Sequence, residues 1–124
     1  MSGSFRYPRE LRLRSRKDTD TVFRRGQYHR LGMLHAKTLR TDGEASRFLV
    51  SVKKKIGSAP ERNRIRRLVR EAVRLNRERL HTTHDICFFL TTRPTHPPRL
   101  ESVTGEILKL FERLDRPTQG RKAR

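Results

Sequence analysis

Between Ile65 and Val73 the chain carries the pattern that most restricts what it can fold into. Ile65, Leu68, Val69, Ala72 and Val73 recur at i, i+3, i+4, i+7 and i+8. This is the spacing of one helix face, broad enough to be buried over two turns. With successive residues about 100° apart, Asn63, Arg66, Arg67, Arg70, Arg74 and Arg77 share a sector roughly 100° to 200° away from Ile65. Such a helix must lay one side on a core and turn an almost wholly cationic side away from it. A solvated charged face normally mixes signs through i, i+4 Glu–Arg pairs. Here neighbouring arginines oppose one another along the helix, and a bound anion is expected to relieve them. Lys53, Lys54 and Lys55 lie just upstream, so residues 53–79 hold eleven cations against three acids, Glu61, Glu71 and Glu78.

The imbalance extends to the whole chain, which has a formal net charge of +18 over 124 residues. Twenty-four of the 31 basic residues are Arg, whose guanidinium forks onto phosphate oxygens and stacks on base faces. A polyanion is therefore the expected partner, and nucleic acid is favoured over an anionic membrane surface. A membrane-surface helix would set Trp, Phe or Leu opposite its cations, and this chain has no Trp. Its longest apolar run, Ile86 to Leu90, is five residues, against the ~18 of a bilayer span. Arg6, Arg9, Arg12 and Arg14 leave no apolar stretch for a secretory signal. Cys87 is the sole cysteine, which excludes an intrachain disulfide and fits a reducing, cytoplasmic setting.

Leu, Ile, Val and Phe make up about a quarter of the chain, just above the ~20% below which a highly charged sequence stays disordered. One small domain with a thin core is expected, over residues 13–114. Residues 1–12 read as a basic flexible arm, and 115–124 as a basic disordered tail. Ser15 and Asp18 form a capping pattern for a short helix ending at Gly26, with Thr19, Val22 and Phe23 on one face. A weak strand spans Leu31–Arg40, and a second spans Arg47–Lys53, where Phe48, Val50 and Val52 alternate with Leu49 and Ser51. Thr41-Asp42-Gly43 between them supports a hairpin. Gly57 and Pro60 open the basic helix. Asp85–Thr92 suits a strand covered on both faces, residues 93–98 are a loop, and Val103, Ile107, Leu110, Phe111 and Leu114 mark a last helix. The sum is an α+β class, an α-β-β-α-β-α sandwich with helices packed on a small central sheet.

Catalytic constellations are not readable. His81, His84 and Cys87 recur every three residues but lack the fourth ligand of a structural zinc site. Asp18, Asp20, Asp42 and Asp85 are scattered over different elements, whereas a protein nuclease needs clustered carboxylates to hold magnesium. No catalytic side chain and no metal ligand is assigned.

Two segments carry a family resemblance. Val50-Ser51-Val52-Lys53-Lys54-Lys55-Ile56-Gly57, followed by Arg62-Asn63-Arg64-Ile65-Arg66-Arg67-Leu68-Val69-Arg70-Glu71-Ala72, resembles the signature of the bacterial ribonuclease P protein. Val22-Phe23-Arg24-Arg25-Gly26 and Asp85-Ile86 extend the likeness over nearly the whole chain except its tails.

The resemblance implies an accessory subunit of an endoribonuclease holoenzyme that removes the 5′ leader of precursor tRNA. The catalytic RNA would do the hydrolysis with Mg2+ held mainly by that RNA and by substrate phosphates. The partners implied are that RNA and precursor tRNA, with no membrane and no obligate protein partner. The family fold sets the basic helix in a left-handed crossover between parallel strands, against the usual hand. Carried over by position, Arg62, Asn63, Arg64, Arg66, Arg67 and Arg70, with Lys53, Lys54, Lys55 and Arg74, would face RNA. The first helix and sheet would line a leader cleft at Thr19, Phe23, Val50 and Val52. For Phe23, helical spacing alone serves core packing beside Val22 as well as base stacking. Two positions depart from the family pattern: Thr19 stands where an aromatic is usual, and Lys53 where a serine is common. The rival class is a ribosomal or other structural RNA-binding protein, and a third is a DNA-binding architectural protein.

Overall fold

The computed structural model describes residues 12, 13 and 15–116. The expected tail past Arg116, and the expected arm apart from Arg12, lie outside the described residues. Helix α1 (Arg16–Arg25) is followed by strands β1 (Gln27–Arg30), β2 (His35–Arg40) and β3 (Arg47–Ser51). A short 3-10 turn (Lys54–Ile56) leads into helix α2 (Ala59–Asn76), then β4 (His84–Phe89) and α3 (Leu100–Asp115). The α+β class holds, with one strand more than the sequence indicates.

That extra strand comes from the segment read as one weak strand. Leu31 and Leu34 are buried in a turn, where the Leu31 N–H donates to the Leu34 carbonyl at 3.0 Å. β1 and β2 run antiparallel on either side of it. Helix α3 holds this turn from outside. The Glu106 carboxylate accepts the N–H groups of Met33 and Leu34 at 3.0 and 2.7 Å, and Lys109 Nζ donates to the Leu31 carbonyl at 2.8 Å.

The expected hairpin between the second and third strands does not form. The sheet order is β1-β2-β4-β3, so β4 lies between β2 and β3. β4 pairs antiparallel with β2 and parallel with β3, with Phe48 opposite Ile86 and Val50 opposite Phe88. The Thr41-Asp42-Gly43 connection instead crosses the end of β4. Ser46 Oγ anchors it there, accepting the His84 N–H at 2.9 Å. β3 and β4, being parallel neighbours, need a crossover, and α2 supplies it.

Helices cover both faces of the sheet. On one, Ile65, Val69, Ala72 and Val73 of α2 and Val103, Ile107, Leu110 and Phe111 of α3 meet Phe48, Val50, Ile86 and Phe88 in the main core. Burying each large side chain contributes about 1.5–3 kcal/mol. On the other, α1 inserts Val22 against Leu13 and Cys87, with Leu39 and Leu49 at the margin. β4 is thus buried from both sides, as its apolar run requires.

Four local devices set α1 and α2 in place. Ser15 caps α1 by accepting the Asp18 N–H at 3.3 Å. At its other end, a Cβ on Gly26 would meet the Val22 carbonyl oxygen at 2.3 Å and the Thr38 carbonyl oxygen at 2.8 Å, so only glycine lets helix and sheet approach this closely. Arg47 then fastens α1 to the sheet. It forks onto Asp85 from Nε at 2.9 Å and Nη2 at 2.7 Å, and reaches Asp18 from Nη1 at 3.2 Å. Helix α2 opens with a full capping box, the Ser58 N–H donating to Glu61 Oε1 at 2.7 Å and the Glu61 N–H to Ser58 Oγ at 3.3 Å.

Candidate nucleic-acid interface

Two surfaces meet where β3 ends and α2 begins. The first is the outer face of α2. Arg66 bridges its own helix to the sheet, donating from Nη1 to Asn63 Oδ1 at 2.7 Å and from Nη2 to the Val52 carbonyl at 3.2 Å. Arg62 Nε donates to the Gly57 carbonyl at 3.2 Å. These bonds spend only backbone and amide acceptors, so neither guanidinium loses its charge to a carboxylate. Arg67 and the three lysines of the 53–55 run are exposed and form no ion pair among the described residues. Buried Ile56 pins the turn that carries Lys54 and Lys55. Arg74 differs: it grips Glu71 at 3.0 and 2.7 Å. That bond draws the Glu71 carboxyl below its ordinary range and neutralises part of the cationic stripe.

The second surface is an aromatic cleft between α1 and the open part of the sheet. Phe23 leaves α1 at 38% exposure, its ring 5.7 Å from Phe89 of β4 at 54°. Phe89 stacks on His35 of β2 at 5.5 Å, and His35 on Tyr28 of β1 at 5.7 Å. Tyr28 Oη hydrogen-bonds His35 Nδ1, while His35 Nε2 pairs with Thr91 Oγ1 at 3.2 Å. Four rings therefore cross three strands and a helix on the face opposite the main core. In register, Ser51 neighbours Phe89 and Lys37 neighbours Tyr28. The row thus starts one residue short of Val52 and Lys53. Cations along a helix and exposed ring faces are the features with which nucleic-acid-binding proteins in general engage phosphates and unstacked bases.

A family model described as Ribonuclease P matches residues 7–115. The chain belongs to the ribonuclease P protein family. It is 38% identical over 114 residues to the Ribonuclease P protein component of Dictyoglomus thermophilum, covering 90% of this chain and 93% of that protein. The same component of Clostridioides difficile is 40% identical over 103 residues, covering 81% and 90%. Among solved structures, the RNase P protein from Thermotoga maritima matches with a TM-score of 0.75 at 26% identity, over 85% of this chain and 98% of that one. The Staphylococcus aureus RNase P protein reaches 0.72 at 19% identity, over 85% and 95%, and supports the fold alone.

This ribonuclease P family member brings together most, though not all, of the residues expected at its site. Asn63, Arg66, Arg67 and Arg70 share the outer side of α2 by helical position, and Arg62 borders them. Arg64 sits on the opposite flank, where its Nη2 donates to the Pro98 carbonyl at 3.1 Å. Val22 takes the core position on α1 and leaves Phe23 on the surface. Thr19 turns its hydroxyl onto its own helix, donating to the Ser15 carbonyl at 3.0 Å. Val50 and Val52, expected in the cleft, are buried in the main core instead. Their strand alternates strictly, so the cleft side of β3 belongs to Leu49 and Ser51. Three aromatic members, Tyr28, His35 and Phe89, escaped sequence reasoning. Phe89 was hidden in a run read as fully covered, and Tyr28 in a strand without apolar alternation.

The three residues weighed as zinc ligands are dispersed. His81 is exposed and pairs with Asp115 at 3.4 Å, whereas His84 and Cys87 are buried in β4. Burial pushes the Cys87 thiol up to about 12, which makes it an inert core residue.

Proposed function

We propose that this chain is the protein subunit of a ribonuclease P holoenzyme in the bacterial cytoplasm. It binds the catalytic RNA through the outer face of α2 and holds the 5′ leader of precursor tRNA in the aromatic cleft. The observation that carries this reading is the adjacency of the two surfaces at Val52 and Lys53. RNA bound on α2 lies beside any single strand that enters the cleft, so scaffold and substrate are held in fixed relation.

The chain's own contribution is binding and orientation. Arg62, Asn63, Arg66, Arg67 and Arg70, with Lys53, Lys54 and Lys55, supply contacts to phosphate and ribose oxygens. Phe23 and Phe89 offer ring faces that accept any base, a suitable property for leaders of varied sequence. Among the described residues, no group of three or more His, Cys, Asp or Glu side chains could hold a metal ion. The reading places Mg2+ mainly on the RNA and on substrate phosphates.

The test is cleavage of precursor tRNA by a ribonuclease P RNA at low magnesium, with and without the protein. A marked gain in leader removal is expected. Tight RNA binding with no gain would favour a structural RNA-binding protein.

A further inference from the structure

Helix α1 lies along β4, and alternate residues of that strand receive it. Ile86 and Phe88 face the main core, so alternation turns Asp85, Cys87 and Phe89 toward α1. Val22 packs against Cys87, and the Phe23 ring lies 5.7 Å from that of Phe89. Asp18 meets the remaining residue, Asp85, through a shared guanidinium. Arg47 donates to Asp85 from Nε and Nη2 at 2.9 and 2.7 Å, and its Nη1 lies 3.2 Å from Asp18 Oδ2. Two strand residues advance about 6.7 Å and four helix residues about 6 Å, so Asp18 and Val22 keep step with Asp85 and Cys87.

The apolar hold on α1 is thin. Among the described residues, Val22 is its only buried side chain. The Leu13 N–H, donating to the Phe48 carbonyl at 2.8 Å, fixes the chain that enters the helix, and Gly26 fixes the end that leaves it. Neither prevents the helix from rolling about Val22. Around the helix axis Asp18 lies about 40° to one side of Val22, and Phe23 about 100° to the other. The bond to Arg47 therefore sets the roll, and the roll sets how far the Phe23 ring stands over Phe89. Arg47 is itself held, because the Asp85 side chain is only 6% exposed.

We propose that Arg47 is a positioning residue for leader binding, which acts through Asp18 to fix the roll of α1 and so the pose of Phe23. The proposal rests on the leader-cleft reading and adds to it a charged pair outside the aromatic row. Asp18 gives the discriminating variant. Its side chain is 41% exposed, and Asp18→Asn leaves the Arg47–Asp85 fork whole, whereas Arg47→Met would strand a buried carboxylate. Removing a negative charge should by field alone tighten the hold on any RNA. Positioning predicts the opposite sign.

The experiment compares the affinity of the reconstituted holoenzyme for precursor tRNA and for leader-free tRNA; the ratio is the leader preference. Phe23→Ala is expected to cut that preference at least about 5-fold, the lower end for one lost stacked base. Asp18→Asn should cut it about 3-fold, a part of the same loss, and Asp18→Glu, which keeps the carboxylate, should restore most of it. The Asp18→Asn, Phe23→Ala double variant should fall no further than Phe23→Ala alone, because the carboxylate acts through that ring. An unchanged or raised preference in Asp18→Asn, or losses that simply add in the double variant, overturns the positioning role and leaves the cleft reading intact. A wild-type holoenzyme without leader preference, or a Phe23→Ala variant that keeps it, overturns the cleft reading and the positioning role together.

Discussion

Arg66 on α2 donates to the carbonyl oxygen of Val52 at 3.2 Å, and this bond sets the angle between the basic helix and the sheet edge that leads into the cleft. Arg67, one position on, makes no ion pair among the described residues. The two arginines should therefore respond differently to removal. Arg67→Ala is expected to flatten the dependence of log K on log salt by roughly 0.7–0.9, the effect of one lost phosphate contact, with the unfolding midpoint unchanged. Arg66→Ala should show that loss and also lower stability by about 1 kcal/mol, the usual net worth of a hydrogen bond. Salt titrations of RNA binding and urea melts check both. An unchanged slope for either would remove that residue from the interface.

Gly26 is expected to tolerate no side chain. A Cβ there meets backbone oxygens of Val22 and Thr38 at 2.3 and 2.8 Å, and neither can swing aside. Gly26→Ala should destabilise the domain by about 1–3 kcal/mol, as overpacking does, and should displace α1 with Phe23. Urea unfolding measures the first effect. Leader-dependent affinity in the holoenzyme measures the second.

Acid should weaken the fold earlier than its carboxylates would. His29 is held below its ordinary value by burial first, then by the positive charge of Arg113 and by repulsion from His84 once that ring is protonated, and burial likewise lowers His84. Both are neutral in the folded chain. Below the unfolded value of about 6.5, the unfolded chain binds protons that the folded one refuses, so stability falls with pH. Above that value the two states bind alike and stability is flat. The urea midpoint is expected to hold steady from pH 8 to 7, in round terms, and to decline from about 6.5 downward. His29→Gln should reduce that decline.

Anions should stabilise the free protein specifically. Eleven cations lie in residues 53–79, and the arginine row on α2 has few carboxylates to offset it. Sulfate or phosphate bound there favours the folded state by mass action. Its effect on Tm should exceed that of chloride at equal ionic strength. Equal shifts would mean plain screening.

Much of this structure was legible because local patterns encode it. Ile65 to Val73 marked both the buried and the basic side of α2, and Ser15, Gly26 and Pro60 marked helix ends. What escaped was decided by partners distant in sequence. β1 was missed because Gln27-Tyr28-His29-Arg30 buries one residue only, the polar His29, while Leu31 and Leu34 look like strand residues although they plug a turn. The insertion of β4 between β2 and β3 leaves no mark on either strand. Alternation in β3 separated Val50 and Val52 from Leu49 and Ser51 correctly, but it could not say which set faced the cleft. The aromatic row had the same obstacle: Phe23, Tyr28, His35 and Phe89 lie in four different elements, and only the sheet aligns them.

The sheet order also governs when the molecule can come into being during synthesis. β4 is the strand that joins β2 to β3, and it ends at Phe89. A nascent chain that has emerged only through α2 has its outermost strands and its basic helix, but nothing to bridge them. The basic helix thus leaves the ribosome before the surface that orients it can form. Because these pairings are long-range, closure of the sheet is a slow step. Throughout that interval a strongly cationic, coreless segment is exposed to cellular RNA, and a polyanion that binds it early would act as a folding template as well as a partner.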